Sequence, residues 1–217
     1  MSGIVVFGAG GRAGRAVLAE ARARGHEVTA VVRDPARHPA LAAEPGVRVA
    51  TGDVTDAGQV AELAAGHDAA VHAAVDLGVP ADVFFPAAAR ALAAGLGRAG
   101  VGRLVVVGLA AVLPTAAGTP LLDTPGFPPE FRSFCLGHGA GTDELRRAGD
   151  APDWLVLSPA GDFDHTGQPA GGYRFATADG ASRITYPDLA LALLDEIEAP
   201  RHHRLHLGVE GTTPPAP

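Results

Sequence analysis

The stretch Val5–Leu18, VVFGAGGRAGRAVL, decides the fold because it joins an apolar strand to a helix through a glycine-rich turn. Three of its glycines, Gly8, Gly11 and Gly14, recur at a spacing of three. In such a turn the first glycine permits a sharp bend, the second lets the backbone approach a pyrophosphate, and the third lets the helix pack closely on the sheet. The helix N-terminus adds free N–H groups and a partial positive charge. We therefore predict that a phosphate-containing cofactor contacts Gly8, Gly11, Arg12, Ala13 and Gly14.

A complete strand–helix–strand unit surrounds this turn. The apolar run Ile4–Phe7 precedes it, an amphipathic helix follows, and Gly25 ends that helix. A second apolar strand, Val28–Val32, comes directly afterwards. A glycine motif alone is weak evidence, since glycine turns occur in many folds, but this context favours a cofactor over a tight turn without a ligand.

The length, composition and charge of the chain limit the classes of protein to which it can belong. With 217 residues, 47% of them hydrophobic, the chain suits a single α/β domain over residues 1–211, and residues 212–217 are predicted to be a disordered tail. The net charge of −7, without a basic run, argues against nucleic acid or an anionic membrane as partner. No apolar stretch approaches the roughly 20 residues of a membrane span, and the chain begins with a strand rather than a signal peptide.

Cysteine and lysine usage narrow the chemistry further. A single cysteine, Cys135, excludes an internal disulfide and predicts a cytoplasmic protein, in which this residue is a structural thiol rather than a nucleophile. The chain contains no lysine, and every basic residue besides histidine is an arginine. Mechanisms that need a catalytic lysine, such as Schiff bases and the Tyr-x-x-x-Lys pair of ordinary short-chain dehydrogenases, are therefore excluded.

Strands and helices alternate as far as about residue 110, which predicts a doubly wound parallel sheet (a Rossmann fold) with helices on both faces and a ligand beyond the carboxyl ends of the strands. The strands lack polar alternation, as parallel strands covered on both faces do. The predicted strands are Gly3–Phe7, Val28–Val32, Val47–Ala50, Ala69–Ala73 and Leu104–Val107. The predicted helices are Arg12–Arg24, Ala36–Ala43, Gly58–Ala65 and Ala81–Ala99.

After Val107 two long irregular segments interrupt the alternation, and long loops of this kind are usually functional or mobile. The first runs from Leu109 to Phe134 and is rich in proline, and the second runs from Ser158 to Gly172. The regular elements predicted around them, which form a small C-terminal elaboration, are a helix over Gly139–Ala148, a strand over Trp154–Leu157, a helix over Leu189–Glu198 and a strand over Leu205–Val209.

Several stretches resemble the atypical short-chain dehydrogenase/reductases that bind NADP(H), the group with the flavin/biliverdin reductase-like and NmrA-like proteins. The resemblance covers nearly the whole chain and is specific for fold and cofactor but poor for substrate. It implies that Asp53 and Val54 after the third strand, and Ala73 and Ala74 at the end of the fourth, line the adenosine half of the cofactor. The stretches that carry it are GAGGRAGRAV, HEVTAVVRDPAR, Gly52-Asp53-Val54, AVHAAV at Ala70–Val75, LVVVG at Leu104–Gly108 and WLVLSPAGDF at Trp154–Phe163.

The end of the second strand separates NADP from NAD. An acidic residue there would bond the ribose 2′-OH of NAD, whereas an arginine accommodates the 2′-phosphate of NADP. Arg33 follows Val32, so we predict NADP(H), with Arg12 as a second clamp. The alternative is a solvated Arg33 paired with Asp34.

Catalytic groups are few. Relatives carry a serine after the fifth strand, but this chain has Val112 there, Thr115 is the nearest hydroxyl, and neither tyrosine stands at the family's acid position. His138, which precedes a predicted helix as in relatives, is the candidate proton donor, and the alternative is a helix N-terminal residue bonded to backbone. His72 is expected to pack beside the cofactor. The substrate and lid candidates are Leu109, Asp162 and Phe163, with Asp164 and His165 in the same loop.

The predicted function is an NADP(H)-dependent reductase of a small, partly apolar acceptor such as a flavin, quinone or carbonyl compound. The alternatives are a non-catalytic NADP(H) sensor of the NmrA-like kind and a redox-neutral isomerase or cyclase. A zinc site at His202, His203 and His206 is not expected, because the segment reads as a strand and no other ligand lies nearby. The expected partner is a small-molecule substrate, and the protein is a monomer or a homodimer.

Overall fold

A computed structural model describes residues 1–149 and 152–212, so the predicted tail beyond Thr212 lies outside the described residues. The strands are β1 (Gly3–Phe7), β2 (Glu27–Val32), β3 (Val47–Thr51), β4 (Ala69–His72), β5 (Arg103–Val107), β6 (Asp153–Pro159), β7 (Asp162–Phe163), β8 (Tyr173–Ala176), β9 (Arg183–Ile184) and β10 (Leu205–Gly211). The helices are α1 (Arg12–Ala23), α2 (Pro39–Ala42), α3 (Ala57–Ala64), α4 (Ala81–Ala99), α5 (Pro129–Arg147) and α6 (Tyr186–Glu198).

Within the described residues, eight strands form one sheet in the order β3-β2-β1-β4-β5-β6-β10-β8. Every neighbouring pair is parallel except β10 and β8, and β7 pairs with β9 in a separate two-stranded sheet. The order reverses at β1, which lies between β2 and β4. The predicted doubly wound α/β fold is therefore confirmed, and its switch point is at the carboxyl end of β1.

Both faces of the sheet are buried, and this explains the apolar runs in the sequence. Ile4 and Val6 of β1 pack against α1 and α6 on one face. Val5 and Phe7 pack against α3 and α4 on the other face, where α4 also packs on α5. In the described part of the chain, no helix is both long enough and apolar enough to cross a membrane.

The structure corrects the prediction most strongly at α5, which begins at Pro129 rather than Gly139. Proline is tolerated at the first helical position, so Pro129 starts the helix rather than preventing it. Gly137 does not break the helix, because it lies against the start of α4, where an added Cβ would come within 2.5 Å of the Ala81 carbonyl carbon. His138 therefore lies inside this helix and does not precede it.

Other elements also differ from the prediction. The predicted helix Ala36–Ala43 is a 3-10 turn over Pro35–Arg37 followed by the short α2, because a proline disfavours the helical conformation of the residue before it. Strand β6 extends to Pro159, two residues into the segment predicted to be irregular. Strands β8 and β9 lie in segments where the sequence predicted no element.

Candidate functional site

A cleft of about 220 Å³ opens at the carboxyl ends of β1, β2 and β4. It lies at the switch point of the sheet, where ligands bind in folds of this class. The predicted cofactor residues that the structure brings together in its lining are Gly8, Gly11, Arg33, Asp53, Val54, Ala73 and Ala74. Gly10 and His38, which are not among the predicted site residues, also line the cleft.

The glycine turn has the geometry of a phosphate cradle. Gly8 has a φ of +86°, and a Cβ there would come within 2.4 Å of the Ala74 nitrogen. Gly14 lies directly over the turn, because its added Cβ would be 2.3 Å from the Gly8 carbonyl oxygen. Gly11 caps α1 without a side-chain acceptor, which leaves the first-turn N–H groups at Arg12 and Ala13 available to an anion.

Arg33 lies at the mouth of this cleft and forms an ion pair with Asp76 from the segment after β4. The predicted alternative partner, Asp34, instead accepts a hydrogen bond from the backbone N–H of Ala36. The pKa of Asp76 is held below its usual value by a hydrogen bond from the Gly78 N–H and by the Arg33 guanidinium. Asp76 is therefore an anion that partly neutralises Arg33.

Asp53 shapes the β3–α3 connection as well as the cleft. Its Oδ1 accepts hydrogen bonds from the backbone N–H of Thr55 at 2.8 Å and from the Thr55 hydroxyl at 2.7 Å. Its backbone N–H donates to the Gln59 side chain at 3.0 Å. The next residue, Val54, is buried. The carboxylate is thus fixed in a turn, and its predicted contact with the adenosine half stays a prediction.

Arg12 connects the glycine turn to the loop after β6. Its Nη1 lies 3.0 Å from His165 Nδ1, which is also 3.1 Å from the Tyr186 hydroxyl at the start of α6. The Phe163 ring stacks on Tyr186 with ring centroids 4.0 Å apart. Phe163 and His165, both lid candidates, are therefore tied to the turn, whereas Tyr186 could be found only from this three-dimensional contact.

His138 lies away from the cleft. It is 9% exposed, its ring is 4.2 Å from that of Phe85, and burial lowers its pKa to about 4. With His72, whose pKa burial lowers to about 3, it lines a small apolar cavity of about 20 Å³ beneath α5. An imidazole in this state is neutral at pH 7 and is a poor proton donor, so the geometry gives no support to the predicted acid role of His138.

The residues around the missing family serine are packed rather than reactive. Val112 contacts α5, where an added Cβ on Gly139 would lie 2.9 Å from Val112 Cγ1. Leu109 packs with Cys135, and burial raises the pKa of that thiol. These contacts agree with a structural role for Cys135 and leave the position of the family serine without a polar atom.

A second, wider cleft of about 810 Å³ lies between the proline-rich segment and the residues that follow β6. It is lined by the apolar side chains of Leu121, Phe127 and Phe131. Asp162, which is exposed and was predicted to contact substrate, lies in the same lining. This cleft therefore combines an apolar surface with a few polar groups, as small-molecule sites do.

The three C-terminal histidines face different partners. His202 Nδ1 lies 2.6 Å from Glu196 Oε1, His203 Nδ1 lies 2.8 Å from Asp153 Oδ2, and His206 Nε2 lies 2.6 Å from Ser158 Oγ. Among the described residues, no group of three or more His, Cys, Asp or Glu side chains is placed to hold a metal ion.

Comparison with known proteins identifies the family. The model of an NAD(P)H-binding family matches residues 8–200. YwnB, an uncharacterized protein of Bacillus subtilis, is 37% identical over 207 residues, which are 92% of this chain and 93% of YwnB. The chain therefore belongs to this NAD(P)H-binding family, and the resemblance to atypical short-chain dehydrogenase/reductases is confirmed.

Two solved structures extend this likeness over nearly the whole chain. A candidate NADH-flavin reductase from Streptococcus pneumoniae is 29% identical with a TM-score of 0.82, covering 98% of this chain and 100% of that one. A candidate epimerase from Bacteroides thetaiotaomicron is 30% identical with a TM-score of 0.83, covering 98% of each chain. The two are described by different reactions, so the likeness fixes fold and family but not the reaction.

Proposed function

We propose that this member of the NAD(P)H-binding family is an NADP(H)-dependent reductase of a small, partly apolar acceptor such as a flavin, quinone or carbonyl compound. The observation that carries the cofactor choice is the position of Arg33. It follows the last residue of β2 and shares one cleft with the glycine turn, where a guanidinium suits the 2′-phosphate.

The residues of the cleft fit such a cofactor. Gly8 and Gly14 let the turn pack tightly against Ala74 and against the start of α1, and the uncapped first turn of α1 would hold the diphosphate. Val54 and Ala74 offer an apolar surface to the adenosine half. The nicotinamide group, when bound, supplies the hydride, and the protein's task is to orient the acceptor and to exclude water.

The second cleft is the proposed acceptor site. Its apolar lining by Phe127 and Phe131 suits a flat, partly apolar molecule, and Asp162 offers a polar group at its edge. Phe163, the residue after Asp162, stacks on Tyr186, which is linked through His165 to the glycine turn. The loop after β6 thus borders the acceptor cleft and contacts the cofactor turn.

Stopped-flow oxidation of NADPH tests this proposal against a panel of flavins, quinones and carbonyl compounds. We expect turnover with at least one acceptor and tighter binding of NADPH than of NADH by calorimetry. Tight NADPH binding without turnover of any panel member would contradict the reductase and favour the sensor. Turnover of a substrate without net cofactor oxidation would instead indicate an isomerase.

Two observations favour a second candidate, a non-catalytic NADP(H) sensor. His138 is buried and neutral, and Val112 packs against α5 where relatives carry a serine. A sensor would bind NADP⁺ and NADPH with different affinities and would recruit a protein partner in only one of these states. A pull-down with each form of the cofactor and without cofactor distinguishes it from a reductase.

A further inference from the structure

His38 is a residue of the cofactor cleft that the sequence patterns did not select. It stands between the 3-10 turn Pro35–Arg37 and α2, with φ −133° and ψ 52°. Pro39 follows it and keeps its backbone out of the helical conformation. His38 therefore has a non-helical backbone conformation between the two short helices, and its side chain lines the cleft.

The imidazole lies directly on the glycine turn. A Cβ added to Gly10 would come within 2.4 Å of both Cε1 and Nε2 of His38, a distance that side chains do not adopt. Gly10 therefore leaves the space that the ring occupies. This contact holds the imidazole beside the place where the first turn of α1 presents its N–H groups.

One ring nitrogen of His38 lacks a partner. Its Nδ1 is buried and has no hydrogen bond among the described residues. Buried polar atoms without a partner are uncommon, and a ligand or an ordered water is a usual explanation. The two other buried side-chain atoms of this kind, in the part of the chain that the structure describes, belong to His72 and His138 and line the small apolar cavity. Of these three atoms among the described residues, only that of His38 belongs to a residue of the cofactor cleft.

Hydrogen-bond donors on Arg33 and His38, rather than net charge, suit a phosphate beside this imidazole, because Arg33 is already paired with the Asp76 carboxylate. Besides His38, the titratable residues of the lining are Arg33 and Asp53. Oδ1 of Asp53 already accepts two hydrogen bonds from Thr55. Arg33 and His38 line the same cleft and together offer several N–H donors, a set that matches the acceptor oxygens of a phosphate.

We propose that His38 is a further specificity-determining residue, whose imidazole donates a hydrogen bond to the 2′-phosphate of NADP(H) beside Arg33. This inference rests on the proposed NADP(H)-binding function and extends it from one residue to a pair. The arginine supplies the charge, and the histidine, held on Gly10, supplies a donor in a fixed position. Discrimination between NADP and NAD thus depends on both residues.

The test uses two small probes that differ only by the 2′-phosphate, namely 2′,5′-ADP and 5′-AMP, titrated calorimetrically into the full-length protein. His38→Ala should weaken 2′,5′-ADP binding by about tenfold, the loss expected for one hydrogen bond to a charged group, and should change 5′-AMP binding less than about twofold. His38→Gln, which keeps an N–H donor, should recover most of the loss. His203→Ala, an exposed histidine paired with Asp153, is the matched control and should change neither.

Each outcome decides between distinct explanations. Equal weakening of both probes would mean that His38 only supports the glycine turn, and no weakening of either would mean that it does not contact the nucleotide. Either result overturns the proposal for His38 while leaving NADP(H) binding intact. A wild-type protein that binds neither probe, or binds both equally, would instead refute the proposed cofactor choice. Because His38→Gln preserves a side chain of similar size, a folding failure of the alanine variant does not prevent the test.

Discussion

Replacing Arg33 by alanine is the sharpest perturbation of the proposed cofactor choice. A hydrogen bond to a charged group contributes about 1.5–3 kcal/mol, and Arg33 would make such a contact with the 2′-phosphate. Its side chain is 56% exposed, however, so solvent screening brings the expected loss to about 1–1.5 kcal/mol, or about five- to twelvefold in the Kd of NADPH. NADH should lose less than about twofold, because its diphosphate contacts come from the glycine turn.

Calorimetric titration of NADPH and NADH against wild-type and Arg33→Ala protein measures the change in the Kd of each cofactor. Arg90→Ala is the matched control, because Arg90 is 60% exposed and pairs with Glu144 on α5 rather than with the cleft. This control should leave both affinities unchanged. If Arg33→Ala weakens NADH and NADPH alike, or weakens neither, the assignment of Arg33 to the 2′-phosphate is wrong and the reasoning from the end of β2 fails with it.

Two further predictions concern the glycine turn and the buried histidines. In urea titrations, Gly14→Ala should destabilise the protein by about 1–3 kcal/mol, because its Cβ would lie 2.3 Å from the Gly8 carbonyl oxygen, and it should also weaken the binding of both cofactors. Gly97→Ala, at an open helical position, is the control and should be neutral or stabilising in the same titrations. Burial lowers the pKa of His72 from 6.5 to about 3 and that of His138 from 6.5 to about 4. As the pH falls below 6.5, these two imidazoles therefore bind protons in the unfolded chain before they do so in the folded protein. The free energy of unfolding, which has its full value above pH 6.5, should fall by about 1.4 kcal/mol per pH unit for each imidazole as the pH drops to 4. Urea unfolding between pH 7.5 and 4.5 measures this slope, which His138→Phe should reduce; a slope identical in this variant would contradict the explanation.

The first half of the fold was predictable because local signals and tertiary structure agree there. Strands β1 to β5 are apolar runs, and the structure matches each predicted strand to within a residue at either end. Helix α5 was not predictable in the same way. Gly137 reads as a loop residue, and its reason to be in a helix is the close approach to Ala81, fifty-six positions earlier in the sequence. Strand β8 likewise depends on its antiparallel partner β10.

Some residues of the candidate site were likewise predictable from local sequence, and others were not. The glycine turn and Arg33 are contiguous motifs, so the sequence was sufficient to select them. Asp76, the partner of Arg33, is a loop residue that only the sheet topology brings near the end of β2. The sequence offered one indication of His38, which is a histidine directly before a proline in the segment after Arg33. Its contact with Gly10 is visible only in the folded structure.

The proposed reductase can be narrowed by asking where the acceptor obtains its proton. Reduction of a simple carbonyl by hydride produces an alkoxide, a strong base that needs an acid at the site. Val112 has no proton to give, and His138 is neutral and buried beneath α5. A reduced flavin or hydroquinone anion is a much weaker base and can take its proton from water. Neither Val112 nor His138 is therefore the acid that a carbonyl acceptor would need, whereas a flavin or quinone acceptor within the proposed function would need neither residue as an acid.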